Sequence, residues 1–203
     1  MGVAPERPSL LSAAKQYIKW KYDKPGNVYL GVVSRLDAPV TGVVLFARTS
    51  KAAARLNEQF RARTVEKIYW AVVQQAPDPR SGQCLDWLLP DQRHRRVDIA
   101  APATPNAREA RLHYRTIKQS RGAVLLEVQL ETGRKHQIRI QLSSRGWPIF
   151  GDRKYGASRT FSAGIALHAR TLEVLHPVTK APLRLSAPLP RSWREFGNLV
   201  PVE

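Results

Sequence analysis

Cysteine is almost absent from this chain of 203 residues, in which Cys84 is the only one. A single cysteine cannot close an internal disulfide, and it cannot form a zinc cluster. The five histidines also lack metal-ligand spacing, since no two of them stand four residues apart with a glutamate between them. The sequence therefore predicts a protein without a bound metal, located in the cytoplasm or an equivalent reducing compartment.

Long apolar runs are absent as well. No stretch approaches the roughly 20 apolar residues that are needed to span a bilayer. The first ten residues contain Pro5, Glu6 and Pro8 where a signal peptide would have an apolar core. We therefore expect a chain that neither crosses a membrane nor is exported by a classical leader.

Acidic residues are scarce, with 16 Asp and Glu against 33 Lys and Arg and a formal net charge of +17. The hydrophobic fraction of 43% is ordinary for a globular protein, so the excess charge belongs to a folded domain and not to a disordered tail. The basic residues are spread along the chain, which favours a surface that contacts many phosphates. RNA, DNA or an anionic membrane surface would each suit this charge, and a role in solubility is the alternative.

Hydrophobic periodicity predicts an α+β fold. We expect helices over 10–22, after Ser50, and over 134–144. Strands are expected over 29–33, 42–48, 67–73, 111–117, 123–131, 165–174 and 183–186, with an irregular or hairpin excursion over 76–106. Because helices and strands do not alternate, a mixed, mostly antiparallel sheet flanked by helices is favoured over a doubly wound one. No repeat or long linker divides the chain, so residues 1–203 are predicted to form one domain.

Two polar segments interrupt the apolar pattern. In Ser34-Arg35-Leu36-Asp37, ahead of Gly42, an aspartate at a strand end can present its carboxylate in a cleft or simply cap a turn. The second segment, 132–155, contains one acid, Asp152, and six basic residues: Arg134, Lys135, Arg139, Arg145, Arg153 and Lys154. A glycine turn that opens a basic helix is a competent phosphate site, and a solvated helix face is the alternative.

Taken together, the ordered motifs SRLD-x-x-x-TG, TGRKHQIR and GWPIFGDRKYG resemble the RluA-type family of RNA pseudouridine synthases. Lys67-Ile68-Tyr69, Leu167-His168-Ala169 and His176-Pro177 agree with further elements of the family pattern, so the resemblance extends from about Leu30 to Pro190. It implies a pseudouridine synthase fold with the active site in a central cleft. It also implies isomerisation of specific uridines in structured RNA, either rRNA or tRNA, with no metal or organic cofactor.

The resemblance assigns roles to individual residues. It implies that Asp37 is the nucleophile, that Arg139 pairs with it, and that Tyr69 packs on the target base and is a candidate base for proton removal. Arg35 would fill the gap that the flipped nucleotide leaves in the base stack. The other residues expected to bind RNA are Arg134, Lys135, His136, Arg145, Arg153 and Lys154.

These residue types suit the reaction that the resemblance implies. The reaction breaks the N1–C1′ bond of uridine, rotates the uracil and rejoins it through C5, so the nucleotide must leave its stack to reach the site. A carboxylate can then attack covalently, at C1′ or at C6, and a neighbouring arginine keeps that carboxylate ionised. A tyrosine offers both an apolar face and a hydroxyl.

Four positions depart from the family pattern. Ser34 replaces a histidine, Val40 and Thr41 replace Thr-Ser, and Gln141 stands where a histidine is common. We also expect the chain to lack the amino-terminal strand with its Lys-Pro-x-Gly element and any S4-type domain, so that a monomeric core selects the target. A catalytically silent RNA-binding protein of the same fold is the alternative function. A DNA-binding module is less favoured, because no recognition helix or zinc site is evident.

Overall fold

Three α-helices and ten strands follow one another through residues 8–201, the part of the chain that the computed structural model describes. The helices are α1 (Leu10–Lys21), α2 (Ser50–Arg61) and α3 (Gln137–Ser143). The strands are β1 (Gly31–Val32), β2 (Thr41–Gly42), β3 (Phe46–Ala47), β4 (Glu66–Val73), β5 (Ser81–Asp91), β6 (Arg96–Ala100), β7 (Arg108–Ser120), β8 (Ala123–Leu130), β9 (Leu167–Leu175) and β10 (Pro182–Ser186). Two 3₁₀ segments, Arg153–Tyr155 and Arg191–Leu199, complete the described chain.

The main sheet has the strand order β10-β9-β4-β8-β7-β5-β6, and all of these neighbours are antiparallel. The short strand β2 adds to β9 in parallel, which makes the sheet mixed. Strands β1 and β3 pair antiparallel in a small separate sheet. The prediction of an α+β fold with a mixed, mostly antiparallel sheet is therefore confirmed.

Helix α3 packs into the main hydrophobic core on one face of this sheet. Its Ile138 and Leu142 join buried residues of the central strands β4 and β8, such as Val72 and Leu126. Five of the seven residues of α3 are buried, so the alternative of a solvated helix face is wrong. The burial fixes α3 against the sheet and with it the polar side chains that α3 carries.

Several predicted boundaries differ from the structure. The predicted strand 42–48 is two strands, because Gly42 adopts a φ of +120° beside β9 and the chain then turns towards β1. Thr49, not Ser50, caps α2, since its side chain accepts a hydrogen bond of 3.1 Å from the amide of Ala52. For residues 76–106 the sequence left two alternatives, an irregular excursion and a hairpin. The structure shows the hairpin, formed by the regular strands β5 and β6.

Helix α3 begins three residues later than predicted. The side-chain oxygen of Gln137 accepts hydrogen bonds from the hydroxyl of Thr132 at 2.8 Å and the amide of Arg134 at 3.0 Å. These bonds hold 132–136 as a turn, and His136 precedes the helix in a left-handed conformation with φ 53°. Arg134 and Lys135 therefore lie in a turn that lines a cleft and do not continue the helix.

Gly42 provides the first test of the fold. A Cβ at this position would lie 2.2 Å from the carbonyl oxygen of Ala169, and the backbone is in a region that L-residues rarely adopt. We expect Gly42→Ala to lower the free energy of unfolding by about 3 kcal/mol in urea denaturation. Gly26→Ala is the matched control, because nothing lies within 4 Å of its added Cβ. Equal stability of the two variants would contradict this account.

Candidate active site

The loop between β1 and β2 presents Asp37 at the edge of the main sheet. The amide of Val40 donates to the carbonyl of Asp37 at 2.9 Å and closes a turn. Directly after this turn, β2 pairs with β9, and the amide of Val43 donates to Ala169 at 2.9 Å. The carboxyl end of the loop is thus anchored to β9 of the main sheet.

Arg139 connects two carboxylates. Its Nη1 donates to Oδ2 of Asp37 at 3.0 Å, while its Nε and Nη2 donate to the two oxygens of Asp152 at 2.7 and 2.8 Å. The Arg139 and Asp152 side chains are almost fully buried, whereas Asp37 is 26% exposed. Burial would lower the pKa of Arg139, but the hydrogen bonds and charges of Asp152 and Asp37 outweigh it and raise that pKa. Asp37 is therefore a solvent-accessible carboxylate held by a buried, permanently charged group.

Tyr155 contacts both Arg139 and His136, the two neighbours of Asp37. The guanidinium of Arg139 lies 5.0 Å from the centre of its ring. Its hydroxyl accepts from the amide of Val97 at 2.9 Å and lies 2.7 Å from Nδ1 of His136. All partners are satisfied when the Tyr155 hydroxyl donates to Nδ1, which leaves the proton of His136 on Nε2. Nε2 faces Oδ2 of Asp37 at 3.8 Å, so this tautomer directs an N–H towards the carboxylate.

Burial lowers the pKa of His136. The charge of Asp37 opposes this shift, while Arg139, Lys135 and Lys154 add to it. His136 is consequently neutral at neutral pH, and the carboxylate of Asp37 is paired with Arg139 alone.

Tyr69, on β4, lines the same cleft as Asp37. Burial, with a further contribution from the charge of Asp37, raises the pKa of Tyr69 to about 12. Tyr69 is therefore a neutral phenol at neutral pH. It presents a ring face and a hydroxyl donor, and its ionisation is opposed by the carboxylate beside it.

The cleft has a volume of about 870 Å³ and is strongly basic. Asp37 is the only carboxylate among its lining residues, and five cations share the lining: Arg35, Lys67, Arg95, Arg134 and Lys135. A second cleft of about 580 Å³ is lined in part by the same residues of the turn before α3. The arrangement favours a polyanion that is larger than the pocket at Asp37.

The other predicted RNA-binding residues lie apart from this lining. Arg145 donates to Asp86 at 2.8 Å and is half-buried, which ties the end of α3 to β5. Arg153 and Lys154 are exposed on their 3₁₀ turn, and Nζ of Lys154 donates to the carbonyl of Arg95 at 2.9 Å. Lys154 thus lies beside a residue of the cleft lining, while Arg145 forms an ion pair that connects α3 to β5.

The departures from the family motifs have partners in the structure. The hydroxyl of Ser34 accepts from the amide of Leu45 at 2.8 Å, and the hydroxyl of Thr41 bonds Nδ1 of His168 at 2.8 Å. Gln141 is fully buried, and its amide nitrogen lies 2.7 Å from Asp86 and 3.1 Å from the carbonyl of Ala110. Ser34, Thr41 and Gln141 therefore each make a side-chain hydrogen bond within the loop or on α3, whereas Val40 packs against the main core.

Sequence reasoning missed three residues of the site. Asp152 was noted only as the one acid in a basic segment, although that isolation itself indicates an ion-pair partner. Tyr155 was only part of a motif, and its distance from His136 along the chain gave no sign of contact. Lys67 was considered only as part of the Lys67-Ile68-Tyr69 motif. Side chains alternate along a strand, so Lys67 and Tyr69 are expected on the same face of β4.

Residues 8–201 contain no group of three or more His, Cys, Asp or Glu side chains that could hold a metal ion. Within the same range, no helix is long and apolar enough to cross a membrane.

Comparisons with known proteins agree with this geometry. The family model described as RNA pseudouridylate synthase matches residues 2–144. A ribosomal large subunit pseudouridine synthase D of Xanthomonas campestris pv. campestris is 41% identical over 84% of this chain and 54% of its own length. An uncharacterised RNA pseudouridine synthase of Zymomonas mobilis is 32% identical over 82% of this chain and 76% of its own length.

Among solved structures, the human RNA pseudouridylate synthase domain containing 4 superposes with a TM-score of 0.77 and is 26% identical. The match covers 92% of this chain and 83% of that one. The fold is therefore that of a pseudouridylate synthase domain. The chain belongs to the RNA pseudouridylate synthase family, and its resemblance to the RluA-type members is confirmed. It spans about half the length of several curated relatives that it matches.

Asp152 tests the ion-pair arrangement. We expect Asp152→Asn to lower the free energy of unfolding by about 3 kcal/mol, because it removes the charge that balances a buried guanidinium. Asp98→Asn is the control, since the ion pair of Asp98 with Arg96 is exposed and should contribute less than about 1 kcal/mol. Urea denaturation measures both. Similar losses in the two variants would show that Arg139 does not depend on Asp152.

The variant Tyr155→Phe tests the assigned tautomer of His136. Tyr155→Phe removes the hydroxyl that donates to Nδ1 and stabilises the neutral ring, so the pKa of His136 should rise and its single tautomer should be lost. Nitrogen-15 NMR of histidine-labelled protein over a pH titration measures both effects. Tyr114→Phe is the control, because its hydroxyl donates to Pro79 instead. An unchanged His136 spectrum in Tyr155→Phe would refute the assignment.

Proposed function

We propose that this chain isomerises uridine to pseudouridine in RNA, with Asp37 as the nucleophile. The observation that carries the proposal is an accessible carboxylate in a basic cleft, fixed at 3.0 Å by Arg139, which is itself held by the buried Asp152. A carboxylate so placed lies beside a fixed positive charge and is aimed at one point, as covalent catalysis requires. The reaction needs no metal or organic cofactor.

The reaction redistributes bonds within one nucleotide. The N1–C1′ bond breaks, a C1′–C5 bond forms, N1 gains a proton and C5 loses its hydrogen as a proton. Asp37 attacks at C1′ or C6 and is released when the rotated uracil has rejoined the sugar. Tyr69 packs against the uracil ring, since its raised pKa makes packing the role that its protonation state supports best.

RNA reaches Asp37 by extruding the target nucleotide, because a stacked base cannot enter a cleft of this depth. Arg35 is exposed at the cleft beside Asp37 and is suited to fill the gap in the stack. Arg134, Lys135 and Lys154 supply charge along the path of the backbone. Large-subunit rRNA is the favoured substrate over tRNA, because relatives named for that substrate are among the matches. We further propose a monomeric, cytoplasmic enzyme.

Asp37→Asn tests the nucleophile. Total RNA from a strain that lacks the gene, labelled with tritium at C5 of uridine, should lose tritium to water with the wild-type protein. The variant should release it roughly a thousandfold more slowly or not at all, because an amide cannot replace the nucleophile. Asp98→Asn, which alters an exposed acid outside the cleft, should match the wild type.

Mapping of pseudouridine in the same strain, by carbodiimide-dependent primer-extension stops, identifies the target. A site that returns with the wild type and not with Asp37→Asn establishes the enzyme and its uridine. Full activity of Asp37→Asn would overturn the assignment. If no site changes while the protein binds RNA with steep salt dependence, the chain is a silent RNA-binding protein.

A further inference from the structure

Lys67 is a cation without a counter-charge inside the cleft. Its side chain is half-buried on β4 and lines the cleft two residues before Tyr69. In the described residues 8–201, no hydrogen bond or ion pair joins its ammonium to an acceptor. Asp37, the only acid of the lining, already accepts from Arg139 at 3.0 Å.

Two arginines make the surroundings of Lys67 more positive. Burial, followed by the charges of Arg63 and Arg134, lowers the pKa of Lys67. Burial and the charges of Arg108 and Arg63 likewise lower the pKa of Arg134, and the charge of Glu109 offsets this shift only in part. The Arg134 guanidinium donates through Nε to the carbonyl of Glu109 at 3.0 Å, which fixes its position. Within residues 8–201, no hydrogen bond or ion pair joins its two terminal nitrogens to an acceptor.

Such an arrangement is unfavourable without an anion. Partly buried charges in proteins are normally paired, since desolvation of an unpaired ion costs several kcal/mol. Here several cations lie close together beside a half-buried ammonium, and mutual repulsion adds to the cost. An anion seated between them removes both contributions, and a phosphate oxygen is the acceptor that Lys and Arg bind best in nucleic acids.

We propose that Lys67 and Arg134 form a phosphate-binding site in the wall of the cleft, and that it receives an RNA backbone phosphate beside the flipped uridine. The assignment of that phosphate rests on the proposed function. Lys67 and Tyr69 stand two residues apart on one strand, a separation of about 7 Å. One nucleotide can therefore pack its base on Tyr69 while an adjoining phosphate reaches Lys67. The site would favour nucleic acid as a ligand and would fix the position of its backbone, but it would not distinguish one base from another.

Salt-dependent binding tests the site. Affinity for an oligouridylate is measured between roughly 50 and 200 mM salt for the wild type, Lys67→Gln, Lys67→Arg and Lys118→Gln. Loss of one phosphate contact lowers the slope of log affinity against log salt by about 0.7 for a single strand. Lys67→Gln should show this decrease and Lys67→Arg should restore the slope. Lys118→Gln makes the same charge change at an exposed position on β7 and should keep the wild-type slope.

A second arm separates a backbone phosphate from a free one. Thermal stabilisation by inorganic phosphate is measured for the same four proteins. If Lys67→Gln loses this stabilisation but keeps the wild-type slope with the oligouridylate, the site takes free phosphate and the RNA assignment is overturned. Equal slopes and equal stabilisation in all four proteins would overturn the site altogether.

Tritium release in parallel separates this inference from the proposed function. If the wild type releases tritium, Asp37→Asn does not, and Lys67→Gln keeps the full salt slope, the assignment of an RNA phosphate to Lys67 fails while the proposed function stands. If the wild type releases none while Lys67→Gln shows the decreased slope, the phosphate site stands and isomerisation fails. For an active enzyme, Lys67→Gln should raise KM several-fold with a smaller change in kcat, as expected for a contact that is made before and during the reaction.

Discussion

The buried guanidinium of Arg139 is the constraint on which the site depends. Asp152 binds it through two oxygens, and a third nitrogen is left to reach Asp37. A buried arginine is tolerated only when its charge and its donors are matched, so α3, the turn that carries Asp152 and the loop that carries Asp37 must keep their mutual positions. The contacts that make the buried charge stable therefore also fix the position of Asp37 in the cleft.

The environment of Asp37 is polarised by the same arrangement. Arg139 lies 3.0 Å from the carboxylate, and Nε2 of the neutral His136 lies 3.8 Å from the same oxygen. Tyr155 links these two groups, since its ring lies against one and its hydroxyl bonds the other. Five further cations line the cleft, and Asp37 is the only carboxylate among the described lining residues. The charges of the site therefore form two sets, the buried ion pair of Arg139 with Asp152 and the more accessible cations of the cleft lining.

The sequence predicted the sheet class and the positions of most long strands, because the alternation of β4, β8 and β9 reflects burial of one or both faces of a sheet. It failed where side chains override the local pattern. Thr49 caps α2 because its own backbone is extended, and Gln137 holds a turn where periodicity favoured helix. The apolar residues 42–48 suited one strand, but Gly42, the last residue of β2, pairs with β9 in a conformation that ends the pairing there.

Some residues of the candidate site could likewise be predicted from the sequence, and others could not. Asp37, Tyr69 and Arg139 could be named from motifs, because the chemistry restricts residue type and order along the chain. The partnership of Arg139 with Asp152, the hydroxyl of Tyr155 on His136 and the unpaired charge of Lys67 could not. These depend on distances between segments that are far apart in the chain, and such distances are set by the packing of α3 on the sheet. The sequence alone determined which groups are available for the chemistry. The tertiary structure decided which charges are paired and which line the cleft without a partner in the described chain, because pairing and burial are properties of contacts that no local pattern contains.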